Sequence, residues 1–168
     1  GLGDVYKRQL YKLGMILVQQ GQFQEGVGYL RRAIDLKKNV PQFYLGLGSG
    51  LVKLGQWSQA VDCINQAVGM WDGKVGMLPR MSLQAEADFY LAEAKSGQEQ
   101  WSEAVEFYGR SWEVNPSRVD CCLGWARALG KLGRWEEALE LYRQGTVLFE
   151  ESGEVWLGLG QTLGELGR

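Results

Sequence analysis

Several groups of residues in this chain have types and spacings that could do chemistry. Gly46-Leu47-Gly48-Ser49-Gly50 has the glycine density of a loop that cradles phosphate, and Gly130-Lys131-Leu132-Gly133 sets a lysine among glycines. Glu136-Glu137 and Glu150-Glu151 would be paired carboxylates for acid and base steps. Cys63, Cys121 and Cys122 would be nucleophiles or metal ligands, and seven tryptophans could line a ligand cage. Spacing removes most of these. The chain has no histidine, so it lacks the usual general base near neutral pH and the commonest metal ligand. The cysteines form neither a Cys-x-x-Cys pair nor a zinc spacing, and an odd number of them fits a reducing compartment. The second glycine run lacks the upstream glycine and the Ser or Thr of a phosphate loop. We therefore expect no catalytic residue, no cofactor and no metal ligand.

The elements that would position these residues are set by a repeat. Gly21-Gln22-Phe23, Gly55-Gln56-Trp57 and Gly133-Arg134-Trp135 recur with a small residue three places after each aromatic, and the step from Gly21 to Gly55 is 34 residues. Frames at 7–40, 41–74, 85–118 and 119–152 follow, with a half frame at 153–168 and a ten-residue insertion at 75–84. Within them a small residue of the first helix recurs at Gly14, Gly48, Ala92, Ala126 and Gly160. An aromatic opens the second helix at Phe23, Trp57, Trp101 and Trp135, and the next small place holds Gly26, Ala60, Ala104 and Ala138. In this register Gly46 to Gly50 lies in mid-helix with no strand before it. The glutamate pairs are a solvated helix start and a loop, and Trp57, Trp101 and Trp135 are expected in the core.

Frame two shows the physics. Tyr44, Leu47, Gly48, Leu51 and Leu54 fall at helical spacing, Gly55 and Gln56 interrupt, and Ala60, Val61, Ile64, Ala67 and Val68 resume it. This is a helical hairpin whose small residues let its two helices approach. One hairpin cannot bury its apolar stripe, so its neighbour must cover it. Glycine inside a helix costs about 1 kcal/mol relative to alanine, so first helices carrying Gly46, Gly48, Gly50, Gly158, Gly160 and Gly164 are expected to be held by packing. The 45% apolar content suffices for a continuous core, and 24 glycines against three prolines suit many tight turns. A net charge of −2 without a basic run argues against nucleic acid or a membrane surface as partner. No apolar run reaches the roughly 18 residues that span a bilayer, and a cytoplasmic location is expected.

With Trp156-Leu157-Gly158-Leu159-Gly160 and Asn115-Pro116 among its closest matches, the chain resembles the tetratricopeptide repeat family. The resemblance implies an all-α, right-handed α-solenoid of helix-turn-helix repeats: repeat 1 at 10–40, repeat 2 at 41–74, an insertion loop at 75–84, repeat 3 at 85–118, repeat 4 at 119–152, and the first helix of a fifth at 153–168. It also implies a concave face lined by first helices. The fifth place of each frame would point into it, at Tyr11, Leu45, Phe89, Leu123 and Leu157, and the ninth at Met15, Ser49, Glu93, Arg127 and Gln161. All five of the former are apolar, so the expected function is a protein-interaction scaffold that takes a peptide or partner protein on an apolar ladder, Glu93 and Arg127 setting its register. The alternative is the non-catalytic, substrate-positioning or assembly arm of a larger bacterial glycosyl-, sulfo- or methyltransferase. The family's clamp for a chaperone C-terminal carboxylate is not expected, because its places read Tyr11, Met15, Gly46, Glu86 and Tyr90.

Three departures carry further expectations. Glu99 stands where the third frame should have its turn glycine, which predicts a distorted turn, and Gly145 stands where an alanine is usual. The insertion mixes Met77, Leu78 and Met81 with the helix-stopping Pro79, as a loop over the core or a lid on the binding face. Asp4-Val5-Tyr6-Lys7-Arg8-Gln9 back-translates to gatgtgtataagagacag, the end of a transposase adaptor used in shotgun sequencing, so residues 1–9 are read as non-native. At the other end Trp156, Leu159, Leu163 and Leu166 are expected to lack a partner helix and to fray or self-associate.

Overall fold

The computed structural model describes residues 1–71 and 77–168, the side chains of residues 77 and 78 excepted. All its regular elements are helices: α1 Leu2–Gln19, α2 Phe23–Leu36, α3 Pro41–Lys53, α4 Trp57–Gly69, α5 Met77–Gly97, α6 Trp101–Val114, α7 Val119–Lys131, α8 Trp135–Leu148 and α9 Gly153–Glu165. The fold is an all-α helical repeat. It divides into two compact units, Gly1–Arg80 and Met81–Arg168, with the boundary inside α5.

One turn geometry closes the first helix of every hairpin. The amide of Gln22 reaches back to the Leu17 carbonyl at 2.8 Å while Gly21 donates to Val18 at 3.1 Å. The pair recurs as Gln56 to Leu51 and Gly55 to Val52, as Arg134 to Leu129 and Gly133 to Gly130, and as Arg168 to Leu163 and Gly167 to Gly164. This double bond is the Schellman motif, whose central residue must be left-handed. Gly21, Gly55, Gly133 and Gly167 have φ of 82°, 72°, 72° and 68°. The third turn, expected to be distorted, keeps the same bonds, Gln100 to Lys95 at 2.9 Å and Glu99 to Ser96 at 3.0 Å. Glu99 itself takes φ of 60°. The frame holds, and the cost of a side chain in the left-handed region falls on Glu99, roughly 1–2 kcal/mol.

In the first unit the hairpins close on small residues, as frame two predicts. A Cβ on Gly14 would lie 2.9 Å from the Gly26 carbonyl oxygen, and one on Gly26 would lie 2.8 Å from that of Gly14, so the backbones of α1 and α2 touch. In α3 and α4, Gly48 admits Ile64, whose Cγ1 would sit 2.5 Å from an added Cβ. Leu30, Leu51, Ala60, Ile64 and Ala67 are wholly buried. Leu10 is the first buried residue of the chain, and residues 1–9 continue α1 without joining this core.

The second unit has one continuous core, including Phe89, Ala92, Ala104, Tyr108, Cys121, Cys122, Ala126, Leu129, Ala138, Leu141, Tyr142 and Val155. Here α5 differs from the loop expected over 75–84, since residues 77–84 are helical; residues 75 and 76 lie outside the described residues. Pro79 does not stop this helix because it falls in the first turn, where its missing N–H has no intrahelical partner to lose. The departure at Gly145 has a steric reason: a Cβ there would meet Cys122 Sγ at 2.9 Å and Val155 Cγ1 at 3.0 Å.

Candidate functional site

Cys121 and Cys122 are packing groups, wholly buried in the second unit. Burial pushes the Cys121 thiol up to about 12 and Cys122 to about 11, and each lies near a backbone carbonyl, Tyr108 at 3.6 Å and Leu141 at 3.8 Å. At neutral pH both are thiols without nucleophilic character. Among the described residues no three of His, Cys, Asp or Glu converge as metal ligands, and no helix is long and apolar enough to cross a membrane.

The expected ladder is not one exposed stripe. In the first unit Tyr11 is half-buried, stacked on Phe43 with ring centroids 5.0 Å apart. Its ring edge and the Met15 sulfur would each lie 2.9 Å from a Cβ on Gly46, so both pack onto α3. Leu45 is only 4% exposed, and Ser49 is buried with its hydroxyl donating to the Gly46 carbonyl at 2.7 Å. In the second unit Phe89 is 2% exposed beneath the Arg118 guanidinium, which lies 3.8 Å over its ring. Glu93, expected to set register, accepts a hydrogen bond from the Tyr108 hydroxyl. Leu45, Ser49 and Phe89 therefore belong to the interior. Fifth-place side chains are buried wherever helices close over them, which a one-chain pattern cannot distinguish from a surface ladder.

The remaining four candidates converge. Leu123 and Arg127 of α7 and Leu157 and Gln161 of α9 line one open groove of about 770 Å³ inside the second unit. Its floor is aromatic: Tyr142 and Trp135 reach it from α8. Two glycines admit them, since a Cβ on Gly158 would lie 2.4 Å from the Tyr142 ring and one on Gly130 would lie 2.7 Å from Trp135. Burial, more than the neighbouring Cys122, raises the Tyr142 hydroxyl while Arg127 opposes the shift, so the phenol stays protonated near neutral pH. Lys131 on α7 and Glu154 and Glu165 on α9 complete the lining. These three and Arg127 are exposed, and none joins an ion pair among the described residues. Leu157 is 62% exposed.

The groove thus offers two leucines and two aromatics ringed by exposed charges without ion-pair partners among the described residues, a surface suited to an apolar side chain with polar backbone around it. Sequence reasoning missed Lys131, Trp135, Tyr142, Glu154 and Glu165. The signal lay in the sixth place, where Gly124 and Gly158 face Tyr108 and Tyr142 one hairpin earlier; Trp135, expected in the core, is half-buried. A second cavity of about 110 Å³, among Ser82, Glu86, Ser111, Asn115 and Arg118, is small and polar. Burial raises the Glu86 carboxyl there, opposed by Arg118, and Ser111 already donates to the Ala85 carbonyl at 2.7 Å.

The fold is shared with known structures. MamA from Desulfovibrio magneticus RS-1 matches with a TM-score of 0.70 at 18% identity, over 88% of this chain and 77% of that one. Another MamA structure matches with a TM-score of 0.74 at 16% identity, over 96% and 82%. YrrB, described as a TPR protein with an unusual peptide-binding site, matches with a TM-score of 0.68 at 16% identity, over 94% and 76%. At such identities the likeness is one of fold. No curated protein matches the chain by sequence. Residues 10–40 and residues 119–162 each match the tetratricopeptide repeat. One matched segment lies in each unit, and helical hairpins of the tetratricopeptide type repeat through both.

Proposed function

We propose that the chain is a protein-interaction scaffold that takes a peptide segment of a partner in the groove between α7 and α9, without chemistry of its own. The observation that carries this is the convergence of Leu123, Arg127, Leu157 and Gln161 with Trp135 and Tyr142 on one open groove. Leu157 is exposed there, and Arg127, Lys131, Glu154 and Glu165 are left without ion-pair partners among the described residues. Solvent-exposed charge around an apolar floor favours an extended or helical peptide that sets one apolar side chain between the leucines and pairs its flanks with the rim. The peptide-binding site in the description of YrrB supports the same reading. On this reading Tyr11, Met15, Leu45, Ser49, Phe89 and Glu93 shape the scaffold rather than touch the ligand.

The test is selection of peptides from a displayed random library, followed by titration of the selected peptide against variants. Leu157→Glu and Arg127→Glu alter exposed side chains, so helicity by circular dichroism should hold while affinity falls at least tenfold. Unchanged affinity in both variants would reject the groove as the binding site.

A further inference from the structure

Two tyrosines of the second unit stand one frame apart, and among the described residues only one has an acceptor for its hydroxyl. Tyr108 of α6 is 1% exposed and donates to the Glu93 carboxylate of α5, while the Ser96 hydroxyl donates to it at 3.4 Å. Tyr142 of α8 holds the same place in the next repeat, and Gly158 admits its ring as Gly124 admits that of Tyr108. The partners have changed. Where Glu93 and Ser96 stand in one frame, the next has Arg127 and Gly130. An arginine side chain only donates, and glycine has none to offer. The Tyr142 hydroxyl therefore makes no hydrogen bond among the described residues, and Tyr142 lines the open groove.

Three donors thus meet in one groove. Arg127 and Gln161 hold the ninth place of their frames, on α7 and α9, so they stand at one level of the groove on its two walls, and both are exposed. Neither side chain joins a hydrogen bond or ion pair among the described residues. Burial raises the Tyr142 hydroxyl and the Arg127 charge opposes it, as a guanidinium near the phenol must. Lys131 leans over the Trp101 ring at 5.9 Å, which leaves Arg127 as the cation at this level. The carboxylates of α9, Glu154 and Glu165, lie near its two ends rather than its middle. On the reading of this groove as a peptide site, we propose that it selects an acidic side chain, Asp or Glu, of the bound peptide. The carboxylate is held by the Tyr142 hydroxyl and Arg127, in the place that Glu93 fills for Tyr108, with an apolar neighbour against Leu123. A side chain is favoured over a chain terminus because Glu93, the internal counterpart, is one.

The probes are three synthetic peptide pools without Asp or Glu at their variable positions: one with a central Glu and amidated end, one with Gln in its place, and the Gln pool with a free C-terminal carboxylate. Passed over the full chain, the Glu pool should be retained above the other two. Its best-retained peptide, titrated against Tyr142→Phe, should lose affinity at least about tenfold, and the Gln form of that peptide should bind both proteins equally. The thermal midpoint of Tyr142→Phe should match that of the parent, because the lost hydroxyl has no internal partner, whereas Tyr108→Phe, which strands Glu93, should lower it. Equal retention of the Glu and Gln pools, or undiminished affinity in Tyr142→Phe, overturns the proposal. Retention of the free-end pool alone also overturns it, since the carboxylate would then be a terminus. If peptides are retained without acidic preference and Leu157→Glu abolishes their binding, the groove reading stands while the acidic selection falls. Retention of no pool overturns both.

Discussion

Helices α3 and α9 carry the same five-residue phrase, Tyr44-Leu45-Gly46-Leu47-Gly48 in one and Trp156-Leu157-Gly158-Leu159-Gly160 in the other. In α3 everything after the tyrosine is buried. In α9 only Gly158 is buried, while Leu157 and Gly160 are exposed. A phrase of alternating leucine and glycine states which contacts a helix can make; neighbours decide which are made. The glycines show this most directly, since Gly48 and Gly158 are pressed by Ile64 and Tyr142, whereas Gly160 meets nothing.

The comparison is broken most strongly at the eleventh place of the frame. Leu51→Ala removes a wholly buried side chain and should cost about 2–5 kcal/mol, whereas the half-buried Leu163→Ala should cost under about 1 kcal/mol; urea denaturation of both gives the ratio, and equal losses would mean that α9 is covered as α3 is. The glycines sharpen it with a change of sign. Gly48→Ala forces a methyl into Ile64 and should destabilise by about 1–3 kcal/mol, while Gly160→Ala should stabilise by up to about 1 kcal/mol, read as opposite shifts in thermal midpoint. The smallest effect tests the turns that both helices share. Glu99→Gly should stabilise by about 1 kcal/mol and Gly133→Ala should destabilise by about as much; no gain in Glu99→Gly would mean that the left-handed backbone at residue 99 carries no strain.

The hairpins were legible because the 34-residue step repeats the same small and aromatic residues, and packing rules translate those directly into helix contacts. Pro79 was misread because a proline stops a helix only from inside it, and it falls in the first turn of α5. Glu99 was misread because hydrogen bonds flanking the turn hold the backbone in the left-handed region whatever the side chain prefers. Part of the candidate site was legible: Leu123, Arg127, Leu157 and Gln161 follow from the frame, and the structure gathers them. Burial of Leu45 and Phe89 and entry of Tyr142 and Trp135 depend on which helix lies opposite, and periodicity along one helix carries no such information.

The departure at Gly145 has a kinetic consequence. Cys122 Sγ and Val155 of α9 crowd the same side of that glycine, and the thiol is wholly buried. A thiol-modifying reagent can reach Cys122 only when the helices packed over it part, so the rate of modification at that sulfur, divided by its rate in the unfolded chain, is the fraction of time this part of the core spends open. One cysteine thereby serves as a clock for local unfolding, and a ligand held in the groove between α7 and α9 should slow it as the groove fills.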